Sequence, residues 1–267
     1  MSTVEKAMEL LNHFSLDRPE IGLSEFHRLL KRDKATTFRH LKALQNVGLL
    51  EQDEETQRYR IGPAVLRLAH QREITMPRRA GVRAVLPQLA AATGETAHAS
   101  LFEGAQLLTL AHHEASLHSN RVVMNDAILP LHATGSGHVV LAFGDDNLRK
   151  LAISKMTRFT EHTVVSEEQL AIQLESTRRT GFGVSIEGYE SGVHGIAAPL
   201  FDHSGKVAGS VAVACVASRM TPELESTIKQ ELVSAATRIT RSWGGTIPDA
   251  LEHAWGDLGK DARSSRN

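Results

Sequence analysis

Residues 33–50 read DKATTFRHLKALQNVGLL, and the way this stretch folds decides what the first part of the chain is. Asp33 is a candidate helix cap. Phe38, Leu41, Leu44 and Val47 recur every third residue, which places them along one face of a helix. Gly48 stands where a left-handed residue would end that helix. The other face carries Lys34, Thr36, Thr37, Arg39, His40 and Lys42, with no acid among them. A helix that reads DNA buries one face against its own domain and turns the other to phosphates and base edges in the major groove. Thr36 and Thr37 suit phosphate or a thymine methyl, and Arg39, His40 and Lys42 suit phosphate or guanine.

The flanking sequence completes a domain around that helix. Val4, Ala7, Leu10, Leu11 and Phe14 mark one face of a first helix, with Thr3 as its candidate cap. Pro19 and Gly22 break the pattern, and Ser24 is the candidate cap of a second helix that turns Phe26, Leu29 and Leu30 inward. Arg28, Lys31 and Arg32 add positive charge ahead of the third helix. The stretch LLEQDEETQRYRIG then predicts a hairpin, with Tyr59 and Ile61 on one side and Arg58 and Arg60 on the other. Three helices and a hairpin, residues 1–62, are the order of a winged helix-turn-helix. A basic helix face alone is commonly only a solvated surface. The order of the elements is what favours DNA, with Arg58 and Arg60 as wing contacts. Asp53, Glu54 and Glu55 at the wing tip oppose deep phosphate contact there.

The whole chain has 267 residues and a formal net charge of -1, so any nucleic-acid surface is local rather than global. The single cysteine, Cys215, excludes an intrachain disulfide and fits a reducing cytoplasm; its apolar neighbours predict a small buried hydrophobe. No stretch is long and apolar enough to predict a membrane span, and the N-terminus does not read as a signal peptide.

Beyond the wing, residues 63–78 predict a linker helix with Val65, Leu66 and Leu68 as its apolar stripe, and a hinge at ITMPRR. Residues 79–245 predict a second domain of α+β class with a mainly antiparallel sheet. It opens with a helix from about Arg79 to Thr93, kinked at Pro87. TAHASLF and QLLTLAHHEA predict paired strands, RVVM a third, and FGVSIE, GIAAPLF and KVAGSVAVACV three more. Helices are expected at DDNLRKLAIS, at SEEQLAIQLESTRRTG and from about Thr221 or Pro222 to Trp243. The tail, residues 246–267, has little periodicity and is expected to be mobile.

Two features of the second domain suggest a ligand. ATGSG opens a helix, so Gly135 and Ser136 bring backbone amides that favour an anion, although small residues also make an ordinary tight turn. Histidines are concentrated here. His98 and His112 would face each other on paired strands and, with His132 or His194, would hold a carboxylate or a metal. No HxxxH or HExxH spacing supports a metal, so neither a metal nor another cofactor is expected.

The stretches TVEKAMELLNHF and GLSEFHRLLKRDKATTFRHLKALQNVGLLEQDEETQRYRIG resemble the N-terminal domain of the IclR family of bacterial transcription regulators. LPLHATGSGHVVLA and RRTGFGVSIEGYESGVHGIAAPLFDHSGKVAGSVAVA resemble that family's effector domain. The resemblance implies a dimer or tetramer of the chain on a pseudopalindromic double-stranded operator. It also implies a GAF-like effector domain that takes a small molecule, often a carboxylate or aromatic catabolite. Some members repress and others activate. Matching motif to motif, the resemblance assigns the effector to Gly135, Ser136, Ser185, Gly195, Ala212 and Ala214. In members that bind small keto acids the last four positions can carry an acid, a cysteine and serines. Their replacement here implies a bulkier or less polar ligand. The alternative is an enzyme using the histidines with Ser136 or Glu187, but no GxSxG nucleophile motif is present and the basic helix would go unexplained.

Overall fold

The computed structural model describes residues 2–15, 18–75, 78–114, 117–124 and 128–264. Met1–Pro77 and Arg78–Asn267 form two compact units.

In the first unit, α1 (Thr3–Met8) continues into a 3-10 turn (Glu9–His13), followed by α2 (Leu23–Leu30), α3 (Lys34–Asn46), β1 (Leu50–Gln52), β2 (Tyr59–Ile61) and α4 (Ala64–Thr75). Local chemistry sets the boundaries. Ser2, not Thr3, caps α1: its hydroxyl accepts from the Glu5 amide, and the Glu5 carboxylate accepts from the Ser2 amide at 2.6 Å. Gly22, not Ser24, precedes α2, and its amide donates to Glu25 at 2.9 Å. Asp33 caps α3 as expected, accepting from the Thr36 amide at 2.8 Å. Gly48, at φ 74°, follows the end of α3. The hairpin joins the helices through Tyr59 and Ile21, whose backbones exchange two hydrogen bonds of 2.9 Å. Leu10, Phe26, Leu41, Leu44, Leu50 and Tyr59 close the core.

The second unit runs α5 (Arg78–Arg83), α6 (Leu86–Thr93), β3 (Thr96–Glu103), β4 (Gln106–His113), β5 (Ile128–Leu129), α7 (Gly135–Phe143), α8 (Asp146–Ser154), α9 (Glu167–Thr180), β6 (Gly183–Ile186), β7 (Val193–Phe201), β8 (Val207–Val216), α10 (Pro222–Ser242) and α11 (Asp249–Ser264). The strand order is β5-β4-β3-β8-β7-β6, with the recorded pairs antiparallel. Alternation along the strands builds two layers over the sheet. Ala99, Ile196, Val211 and Val213 pack with Leu86 of α6 and Leu232 of α10. Ala197 and Ala212 meet Val139 of α7 on the other face.

Several expectations are corrected here. The single kinked helix over residues 79–93 is two helices, with Pro87 in the first turn of α6, where its missing amide costs nothing. RVVM is not a strand. Its valines suit one, but the carbonyl of Val122 is taken by the Thr96 hydroxyl at 2.6 Å and that of Asn120 by Arg219 at 2.8 Å, so side chains hold this segment. The strand beside β4 is β5, with Leu107 opposite Leu129. Residues 249–264 are helical rather than a mobile tail: Leu251 and Trp255, one turn apart, are 2% and 6% exposed in the core. Trp255 also donates from Nε1 to the Thr180 carbonyl at 3.2 Å. Met76 and Pro77 of the expected hinge lie outside the described residues.

Candidate functional site

In the first unit the candidate is the solvent side of α3. Lys34 and Arg39 are exposed, and Thr36 and Lys42 half-buried, on that side. Arg39 donates to the Thr36 hydroxyl at 3.4 Å. The Lys42 ammonium donates to Gln45 at 3.0 Å and to Gln52 of the wing at 3.5 Å, and stands 5.8 Å from the Phe38 ring centroid.

Two residues expected on this face are not there. Thr37 is 1% and His40 9% exposed. The Thr37 hydroxyl donates to the Asp33 carbonyl at 2.9 Å, which makes its burial affordable. Burial pushes the pKa of His40 down, helped by the positive charge of Arg32, Arg39 and Lys6. The apolar face is accordingly not the one that steps of three predict. Leu41 and Leu44 are buried, while Phe38 and Val47 are exposed. The wing arginines are occupied within the unit: Arg58 pairs with Glu25 at 2.6 Å and donates to the Glu20 carbonyl, and Arg60 pairs with Glu51 at 2.5 Å. Such partly exposed pairs contribute little stability, so phosphates can displace the acids.

In the second unit a cavity of about 80 Å³, partly open to solvent, lies where the N-terminus of α7 meets β3, β8 and β7. Of the expected effector residues, Gly135, Ser136, Ser185, Gly195, Ala212, Ala214 and His98 line it. His112 does not: it is exposed on β4, directly opposite His98. Val122, Met124 and Leu129 form an apolar wall, Tyr189 and Glu190 also line the cavity, and no Lys or Arg is among the lining residues described.

The glycines of ATGSG have a packing role as well. A Cβ at Gly135 would meet the Gly183 carbonyl at 2.6 Å, and one at Gly137 would collide with the backbone of Leu131. They let α7 abut its neighbours. Thr134 caps α7, accepting from the Gly137 amide at 3.0 Å, and the first amides of a helix have no partner inside it. The Ser185 hydroxyl is spent on the Ala133 carbonyl at 2.7 Å.

His98 is 6% exposed and lies 3.4 Å, through Nε2, from the Ser136 hydroxyl. Its Nδ1 is buried with no hydrogen-bond partner. Burial, with a smaller contribution from His112, holds its pKa down to about 4, so the ring is neutral near pH 7 and a weak proton acceptor. The other histidines do not join it. His194 points to the opposite face from Gly195, where Glu225 and Lys229 act on it. His132 contacts the Thr157 backbone, and His138 sets its ring nitrogens against the Val184 and His132 carbonyls, both at 2.9 Å. Among the described residues, no three His, Cys, Asp or Glu side chains come together as a metal site. Cys215 is buried, and burial pushes its thiol up to about 12.

The segment carrying Val122 and Met124 is anchored by residues that sequence reasoning missed. Glu95, buried, pairs with Arg219 through bonds of 2.6 and 2.7 Å, and Arg219 reaches on to the Asn120 carbonyl. The partners are far apart in sequence, and only the β3–β8 pairing brings them together.

Residues 75–241 match the family described as bacterial transcriptional regulator IclR C-terminal, and residues 3–54 match the IclR helix-turn-helix domain. The chain is similar to the crystal structure of an IclR transcriptional regulator from Silicibacter sp. TM1040, with 40% identity and a TM-score of 0.83 over 94% of this chain and 99% of that one. It is 27% identical to the glycerol operon regulatory protein of Streptomyces coelicolor, over 91% of this chain and 94% of the relative. An IclR homolog from Microbacterium hydrocarbonoxydans, crystallised with 4-hydroxybenzoate, shares the fold at 22% identity and a TM-score of 0.56, over 91% of this chain and 99% of its own.

Proposed function

The chain belongs to the IclR family of bacterial transcriptional regulators, and from that premise we propose that it controls a catabolic operon by binding operator DNA through α3 and a small organic effector in the cavity of the second unit. The observation that carries the DNA assignment is the set Lys34, Thr36, Arg39 and Lys42 on the solvent side of a helix with no acid. Arg58 and Arg60 supply wing contacts by trading their acids for phosphates.

For the effector, we assign Gly135, Ser136, Ser185, Gly195, Ala212, Ala214 and His98 as the lining. An apolar wall with few polar groups suits a compact molecule whose polar end meets His98, Ser136 and the α7 amides. That the Microbacterium relative holds 4-hydroxybenzoate supports this chemistry. The chain acts as a dimer or tetramer on a pseudopalindromic site in the cytoplasm. Leu66 and Leu68, exposed on α4, support contact between two copies. Among the described residues, no helix is long and apolar enough to cross a membrane.

The test is a gel shift on DNA upstream of the chain's own gene and of neighbouring promoters, at two salt concentrations with nonspecific competitor. A specific shift that weakens steeply with salt is expected, because phosphate contacts release counterions. Arg39→Ala with Lys42→Ala should remove it while the second unit still melts as in the wild type. A shift that survives the double substitution would move the DNA surface away from α3.

A further inference from the structure

We propose that Phe38 is a base-reading residue whose ring packs against the 5-methyl group of a thymine in the major groove. This rests on the DNA-binding function proposed above.

Helix α3 sorts its side chains against their polarity. Polar Thr37 and His40 are buried, while Phe38 stands 42% exposed. Stability alone favours the ring inside, where apolar surface leaves water. A lone apolar side chain on a surface is ordinary. This one is set apart by its place and by what surrounds it. It lies in the first half of the helix, the part of a recognition helix that reaches base edges. The Lys42 ammonium stands 5.8 Å from its ring centroid and is itself tied to Gln45 and to Gln52 of the wing. Exposed Lys34 and Arg39 flank it, and no acid occurs from Lys34 to Asn46.

The surroundings are therefore complementary to DNA, and the ring needs an apolar partner there. Of the groups a major groove presents, the thymine methyl is the apolar one. A phenyl ring has no hydrogen bond to offer a purine edge. In this arrangement the cations position the helix on the backbone and Phe38 specifies a base.

The experiment uses the full-length chain and a random-sequence duplex library. Sites selected by the wild type should contain a preferred thymine in each half-site. Phe38→Leu should keep that preference and Phe38→Ala should lose it, with unchanged melting because the ring lies outside the core. Thymine is then replaced by uracil at that position, which removes only the methyl. This should weaken the wild type about fourfold, as expected for one buried methyl-sized group, and leave Phe38→Ala unaffected. An equal loss in both proteins, or wild-type sites without a preferred thymine, overturns the assignment. A library from which the wild type enriches nothing overturns the DNA-binding function itself and Phe38 with it, so the two failures are distinguishable.

Discussion

Helix α3 and the cavity at the start of α7 are the two proposed recognition surfaces, and they treat charge in opposite ways. On α3 the cations face solvent, where they attract a polyanion at long range and give way to salt. In the cavity no described lining residue is Lys or Arg, and the histidine at its floor is held neutral by burial. The ion pairs divide in the same way. Glu51 and Arg60 pair at the surface, whereas the Glu95 side chain is 2% exposed beneath the cavity wall. The lesson is that an exposed charge contributes reach and a buried one contributes shape. An exposed charge can exchange partners; a buried one fixes the geometry of whatever it holds.

The contrast is most severely tested at Glu95. Arg219→Ala leaves a buried carboxylate without its partner and should destabilise the second unit by about 3–5 kcal/mol in urea unfolding. A variant as stable as the wild type would end the distinction between the two kinds of pair.

Acid provides the next largest effect. The folded pKa of His98 is about 4, below its unfolded value of about 6.5, so the unfolded chain takes up the proton first. Stability is full above pH 6.5 and declines as the pH falls, by roughly 2 kcal/mol at pH 5 and about 3 near pH 4. His98→Gln should flatten that decline without abolishing it, because burial also lowers His138 and His194. Thermal melts across this range that do not distinguish the two proteins would mean the ring is charged in the fold.

Arg39→Ala and Lys42→Ala, made singly, should each make the slope of log affinity against log salt shallower by about 1, for the one phosphate contact each loses. An unchanged slope would show that these cations do not meet phosphate. The smallest effect is expected from Arg60→Ala. Losing its exposed pair with Glu51 should leave the urea-unfolding midpoint close to that of the wild type, and a clear drop would blur the contrast from the other side.

The elements written in local chemistry were legible in the sequence. Asp33 caps α3, Gly48 follows its end at a left-handed φ, and β3 and β4 pair. What could not be read depends on partners distant in the chain. Thr37 and His40 look like surface residues, and their burial follows from how α3 seats against its unit. RVVM has strand-forming residues, but Thr96 had claimed the Val122 carbonyl and Arg219 that of Asn120 just before it. The last helix rests on Leu251 and Trp255, too few apolar positions to make a visible period. Of the cavity lining, Gly135, Ser136 and His98 were legible in residue chemistry, and Ser185, Gly195, Ala212 and Ala214 only through the family motifs. His112 was placed correctly on the strand beside His98 and wrongly in the lining, because register fixes a neighbour and says nothing of how deep it lies.

The strand order carries a consequence for biosynthesis. Thr96 pairs with Ala214, so the centre of the sheet joins segments made early and late in the second unit. A ribosome that has released β3 and β4 has produced a hairpin with an open edge and half a cavity. Neither is completed until β8 emerges, and long-range pairings of this kind form late because a long loop must close first. The helices and hairpin of the first unit find partners such as Ile21 and Tyr59 within the first 62 residues and can assemble before the second unit is made. Each newly made molecule thus passes through an interval in which the part that grips DNA is finished and the part that senses the cell's chemistry is not.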